Sequence, residues 1–204
     1  MIAAAIAAFA RVVSGAAVRW KQPLSGSRQR AFYANHASHL DFVVIWSALP
    51  AEVRARTRPV AGSDYWGRGA VRPYVAGRVF RAILIERSTT PSSPDKASQA
   101  IDQIATAMGG EDSIIVFPEG TRSLNGELLP FKSGLYHLCV RKPGIELVPV
   151  YLSHLNRILP KGEILPVPLR GRVTFGAPTH LEPGEDKEAF LNRTRAALLE
   201  LKDT

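Results

Sequence analysis

The chain holds one cysteine, Cys139, in 204 residues. That excludes an intramolecular disulfide and a cysteine-built zinc site, and it fits a reducing compartment. Low-complexity tracts and internal repeats are absent. No serine stands in a Gly-x-Ser-x-Gly elbow, which speaks against a serine hydrolase. A helix-turn-helix pattern, a zinc finger and a basic strand interleaved with aromatics are all missing, so nucleic acid is not an expected partner. Long hydrophobic runs are missing too. Residues 1–10 are uncharged and Arg11 is the first charge, whereas a spanning helix takes about 20 apolar residues. The same segment lacks the positive leader and cleavage site of a signal peptide.

Acidic residues are scarce in one half only. Residues 1–87 hold 13 basic and 4 acidic side chains, a net +9, while residues 88–204 sum to −1. Twelve of those 13 basic residues are arginine. Such a surface suits phosphate, whether in nucleic acid, an anionic membrane or a phosphorylated small molecule. The plainer alternative is a basic protein from an arginine-rich genome.

What is present begins with length. The 204 residues suffice for one domain with a real core, with or without an appendage. At helical spacing Ile2, Ile6, Phe9, Val13, Ala16 and Trp20 share one face. Trp20 lies between Arg19 and Lys21, and an indole beside cations suits a headgroup region. Residues 1–22 are therefore expected to form an amphipathic helix in the membrane interface. The alternatives are a helix packed on the protein's own core and a spanning helix that buries Arg11.

Beyond the turn at residues 23–27, strands are expected at 30–34, 58–61, 82–85, 113–117, 147–152 and 172–175. Helices are expected at 40–49, 95–108, 133–140 and 187–201, while residues 62–76 resist assignment. Strands alternating with helices imply an α/β fold, a central sheet flanked by helices. Sites in such folds collect at the carboxyl ends of strands. Two segments stand there: Asn35-His36-Ala37-Ser38-His39-Leu40-Asp41 and Phe117-Pro118-Glu119-Gly120-Thr121-Arg122-Ser123.

In the first, His36 is suited to act as general base, and Asp41 can fix its tautomer and stabilise the imidazolium. Ser38 and Asp41 also fit a helix capping box, and both readings can hold together. His39 is the second-ranked base. In the other segment Pro118 ends the strand, Gly120 permits a tight turn and Arg122 can grip a phosphate with two bonds. Glu119 can orient Arg122 or accept from a substrate hydroxyl; the plainer reading is a turn with a surface ion pair. Arg87 and Lys132 are further candidate phosphate contacts. Cys139 lies in an apolar helix pattern and reads as core. A histidine base without a serine or cysteine nucleophile implies direct transfer with no covalent enzyme intermediate.

These residues resemble the four sequence blocks of the glycerolipid acyltransferases, in particular the 1-acylglycerol-3-phosphate (lysophosphatidic acid) acyltransferases. Asn35-His36 to Asp41 is similar to the first block, Ile83 to Arg87 to the second and Phe117 to Ser123, at all seven positions, to the third. Phe131-Lys132-Ser133-Gly134 is similar to the element that follows the third, and Val148-Pro149-Val150 to the fourth. The resemblance implies a single acyltransferase domain over 28–204, with a mixed, largely parallel sheet flanked by helices. It implies His36 as base, Asp41 as its partner, and a substrate-binding set of Arg87, Glu119, Gly120, Thr121, Arg122 and Lys132. Val148 to Val150 would serve the acyl-chain side.

The implied donor is an acyl thioester on coenzyme A or acyl carrier protein, used as co-substrate, with no cofactor and no metal. The implied acceptor is a lysolipid hydroxyl, and the enzyme would work as a peripheral or monotopic protein on the cytoplasmic face of a membrane. Lysophosphatidic acid is the lead acceptor, with phosphatidic acid as product. The alternatives are another lysophospholipid, a lyso-ornithine lipid or glycerol 3-phosphate. Rivals from other classes are a non-catalytic peripheral lipid-binding protein and a thioesterase.

Overall fold

The computed structural model describes residues 8, 10–11, 15–38, 41–69, 71–86, 94–123, 125–153 and 171–202. Its seven strands are β1 (Ala17–Trp20), β2 (Arg30–Ala34), β3 (Thr57–Gly62), β4 (Ile83–Ile85), β5 (Ser113–Val116), β6 (Glu146–Ser153) and β7 (Arg172–Phe175). They make one sheet in the order β1-β7-β6-β2-β5-β3-β4. From β6 across to β4 every pairing is parallel. β7 runs antiparallel to β6, and β1 lies parallel to β7. The alternating pattern implied an α/β sheet flanked by helices, and the family resemblance implied that it would be mixed and largely parallel.

The middle strand shows why the sheet forms. All five residues of β2 are buried, as expected where helices cover both faces. Its side chains alternate. Phe32 and Ala34 join a core with Phe42, Ile45, Trp46, Val148, Val150 and Phe175. Ala31 and Tyr33 join a second core with Ile104, Leu138, Leu147 and Phe190 on the other face. Helix α1 (Asp41–Ala48) covers the first face. Helices α5 (Pro94–Met108), α6 (Gly134–Arg141) and α7 (Lys187–Leu199) cover the second. Asp186 caps α7 by accepting from the Glu188 and Ala189 N–H groups at 2.8 and 3.0 Å.

The first face carries further short elements: α2 (Ala51–Ala55), α3 (Ser63–Trp66), α4 (Val71–Tyr74) and a π-helical turn, Val75–Val79. The last three form the crossover from β3 to β4 through the stretch that resisted assignment. Cys139 is a core residue as expected, and burial pushes its thiol up to about 12.

One boundary is corrected. A helix running to residue 22 is not what forms, because Ala17–Trp20 is an edge strand. β7 offers it an open edge, and Trp20 stacks on Phe175 with ring centroids 3.8 Å apart. Most of residues 1–14 lie outside the described residues. Among those described, no helix is long and apolar enough to cross a membrane.

Candidate active site

The site lies where β2 and β5, direct neighbours, both end. Asn35 follows β2 and continues its ladder with a side chain. Its Nδ2 donates to the Leu152 carbonyl at 3.0 Å, and its Oδ1 accepts from the Leu152 N–H at 2.8 Å. The chain therefore leaves β2 along a fixed path, and the next residue is His36.

His36 is 7% exposed and held from four directions. Its Nδ1 lies 2.8 Å from Asp41 Oδ2. Its ring stacks on Phe117, centroids 4.0 Å apart and planes 17° from parallel. Its backbone N–H donates to Glu119 Oε1 at 2.7 Å, and its carbonyl accepts from the Ser123 N–H at 2.8 Å. Three of these four contacts come from residues 117–123. That segment thus seats His36 and carries Arg122 on the same turn.

Asp41 is 1% exposed and opens α1. Its Oδ2 also accepts from the Ala37 and Ser38 N–H groups, at 2.7 and 2.8 Å. The carboxylate bonds back to the residues before the helix, the acidic half of a capping box, and it meets the imidazole, while the Asp41 N–H donates to the Ser38 carbonyl at 3.2 Å. A carboxylate only accepts, so Nδ1 carries the shared hydrogen, and Nε2 is the nitrogen that offers a lone pair in the neutral imidazole. His39 lies outside the described residues.

Glu119 is 2% exposed, and its second oxygen accepts from the Leu129 N–H at 2.8 Å. Both oxygens thus serve backbone donors, and Arg122 is not a partner. The expectation that Glu119 orients Arg122 is corrected: it ties the loop carrying His36 to the loop before α6. Burial pushes its carboxyl up, against the two backbone N–H groups and the nearby His36, which pull it down.

Gly120 has a φ of +69°, which favours glycine. The Lys132 side chain also lies over it, and a β-carbon there would meet Lys132 Cδ at 2.9 Å. Lys132 is pinned by its N–H, which donates to the Pro118 carbonyl at 2.8 Å. Thr121 is exposed and Arg122 half-buried on the same turn, and Arg122 has no ion pair among the described residues. Arg87 lies outside the described residues.

His36 opens on a cavity of roughly 200 Å³ whose wall is mostly apolar. Val60 of β3, Ile85 of β4, Ile101 and Ile104 of α5, and Leu135 and Leu138 of α6 supply that wall. Lys132 and Gly120 stand with His36 in the lining. Val148 to Val150 do not line it. Val148 and Val150 are fully buried against the Phe32 and Ile45 core instead, on the face away from the cavity. Among the described residues no cluster of three or more His, Cys, Asp or Glu could hold a metal.

Three contributors carry no sequence signal of their own: Asn35 as anchor, Phe117 as stacking plate and the Ser123 N–H as clamp. Each lies inside a block singled out for other residues.

A buried histidine–carboxylate pair thus stands at the carboxyl edge of a largely parallel α/β sheet and opens on an apolar cavity. The chain belongs to the Acyltransferase family, whose sequence model matches residues 19–153. Over 186 residues it is 29% identical to 1-acyl-sn-glycerol-3-phosphate acyltransferase alpha of Homo sapiens, covering 89% of this chain and 62% of the relative. It is 33% identical over 148 residues to the 1-acyl-sn-glycerol-3-phosphate acyltransferase of Limnanthes douglasii, covering 70% of this chain and 48% of the relative. The chain spans about half to three-fifths of the length of these relatives. The crystal structure of the 1-acyl-sn-glycerophosphate (LPA) acyltransferase PlsC from Thermotoga maritima has the same fold. Its TM-score is 0.71 at 20% identity, over 98% of this chain and 78% of that one.

Proposed function

We propose that the protein moves a fatty acyl group from a thioester to the free hydroxyl of 1-acylglycerol 3-phosphate, giving phosphatidic acid. The observation that carries this reading is the 2.8 Å contact between His36 Nδ1 and Asp41 Oδ2, with the ring lining an apolar cavity. His36 Nε2 takes the proton of the acceptor hydroxyl. The hydroxyl oxygen attacks the thioester carbonyl carbon, and a carbon–oxygen bond forms. The carbon–sulfur bond then breaks, and the departing thiolate takes the proton back from Nε2. Asp41 stabilises the imidazolium between those two transfers.

The cavity wall from Val60 to Leu138 accommodates an acyl chain, because aliphatic side chains gain by covering aliphatic surface. Arg122 and Lys132 hold the acceptor phosphate, with Arg87 and the exposed Thr121 assisting. Arginine suits this task through its two parallel N–H donors. Glu119 and Gly120 shape the turn. The donor is acyl-coenzyme A or acyl carrier protein, and the acceptor is a membrane lipid. We place the protein at the cytoplasmic face, peripherally or monotopically bound.

The test is thiol release from a labelled acyl thioester across a panel of acceptors: lysophosphatidic acid, other lysophospholipids, lyso-ornithine lipid and glycerol 3-phosphate. Release that depends on lysophosphatidic acid and vanishes in His36→Ala supports the reading. Preference for another acceptor keeps the chemistry and changes the substrate. Release without any acceptor would mean a thioesterase. Vesicle binding without release would mean a lipid-binding protein.

A further inference from the structure

The basic half of the chain is not one uniform surface. Arg30 pairs with Glu146 inside the fold, and Arg81 pairs with Asp112. Arg11 and Arg54 donate to carbonyls at the end of α1, and Arg58 donates to the Arg81 carbonyl. The crossover from β3 to β4 is different. Arg68, Arg72 and Arg78 are exposed there, and none of them joins an ion pair among the described residues. Asp64 is the lone acidic residue between Gly62 and Ile83.

The same stretch exposes two large apolar side chains, Val71 at 72% and Tyr74 at 58%. Both belong to one helical turn, and Arg72 between them lies over the Tyr65 ring at 4.2 Å. The underside of the crossover is anchored. Trp66 and Phe80 pack edge-on against Phe42, with centroids 5.2 and 5.0 Å apart. Phe42 follows Asp41 in α1, so this surface rides on the helix that carries the catalytic carboxylate.

We propose that Arg68, Val71, Arg72, Tyr74 and Arg78 form a face that lies on an anionic bilayer. This rests on the reading that the acceptor is a membrane lipid. Arginines without carboxylate partners complement anionic headgroups. Val71 and Tyr74 enter the headgroup–acyl boundary, where an aromatic ring with a polar tip is favoured. The charge argues for a lipid surface over a neutral protein partner, and the two projecting apolar residues argue for it over nucleic acid.

The test uses the full chain with vesicles of phosphatidylcholine alone and of phosphatidylcholine with phosphatidylglycerol. Wild type prefers the phosphatidylglycerol vesicles, and added salt weakens the preference. Arg68→Gln/Arg72→Gln/Arg78→Gln loses about fivefold in partitioning per arginine, on the order of a hundredfold together. Val71→Asp loses binding to both vesicle types. Both variants melt with wild type, since the altered side chains are exposed. Wild-type binding by both variants, or no preference for phosphatidylglycerol, overturns the proposal. Partitioning is read without an acyl donor, so a chain that releases no thiol overturns the acyl-transfer reading and leaves this one to the vesicles.

Discussion

The two ends of the sheet both bury charge and use it differently. At the amino end, Arg30 and Glu146 are 2% and 4% exposed, with Nε and Oε2 2.8 Å apart. Arg30 Nη2 donates to the Ser25 and Gly26 carbonyls, and its N–H to Ser113 Oγ. The charges face each other and backbone, away from any substrate cavity. At the carboxyl end, His36, Asp41 and Glu119 are as deeply buried, but the clamps on His36 leave Nε2 uncommitted beside a cavity. Buried charge that is closed on itself holds a fold together. A buried polar pair with one valence left over is what the proposed acyl transfer uses.

That contrast is tested first at the base. His36→Ala lowers the rate of acyl transfer by about 10²–10⁴-fold, and Asp41→Asn by a similar factor. Thiol release measures both, and circular dichroism shows the fold retained. Next comes the amino end. Arg30→Met leaves the buried Glu146 with only the exposed Arg28, 3.2 Å from Oε1, and costs up to about 3–5 kcal/mol in denaturant unfolding. The folded fraction keeps its turnover. Adding Glu146→Leu restores most of that loss, because replacing both partners removes the unpaired charge. A rate defect in folded Arg30→Met would break the division between the two ends.

Glu119→Gln sits between the two effects. One oxygen becomes an amide that faces a backbone N–H, so one clamp is lost at about 1–3 kcal/mol. Turnover falls with stability, because the lost clamp holds His36 or the loop beside it. Full turnover in this variant would reduce Glu119 to scaffolding.

The smallest effect is in pH, and its sign differs between the ends. Near the start of β6, Arg193 donates to Thr179 and pairs with Glu185 at 2.7 Å. The hydrogen bond from Arg193 holds the Glu185 carboxyl below its usual range. The folded chain therefore binds this proton less readily than the unfolded chain. Its contribution is present above about pH 4.3, the unfolded value, and is lost as pH falls through the folded one. Glu119 is shifted upward by burial, so the folded chain binds its proton more readily. Its contribution is present below about pH 4.3 and is lost as pH rises through the folded value. Urea midpoints across this range flatten on the acid side in Arg193→Gln and on the other side in Glu119→Gln.

Much of this was legible in the sequence. β2, β5 and β6 read as strands because apolar runs are what a sheet covered on both faces requires. α5 read as a helix from its Ile101, Ile104 and Met108 stripe. The strands read at 30–34 and 113–117 placed the first and third blocks at strand ends. What was not legible depends on partners remote in sequence. Ala17–Trp20 carries a pattern that fits either period, and the open edge of β7 decides it. The valines of the fourth block are apolar in either role, and only the fold shows that they face the core. Glu119 reads as a site carboxylate, yet its acceptors are satisfied by N–H groups 83 and 10 positions away. A backbone donor leaves no mark on the residue type that supplies it.

The bond from the His36 N–H to Glu119 also orders events in time. Its ends are 83 positions apart, and the Asn35–Leu152 pair spans 117. A ribosome adding roughly 5–20 residues per second makes His36 about 4–17 s before Glu119. During that interval the histidine has its Asp41 within reach but no seat. Only when β5 and β6 arrive on either side of β2 does the ring acquire its plate, its clamps and its cavity. The nascent chain thus carries this histidine early, and the contacts that seat it wait for β5 and β6.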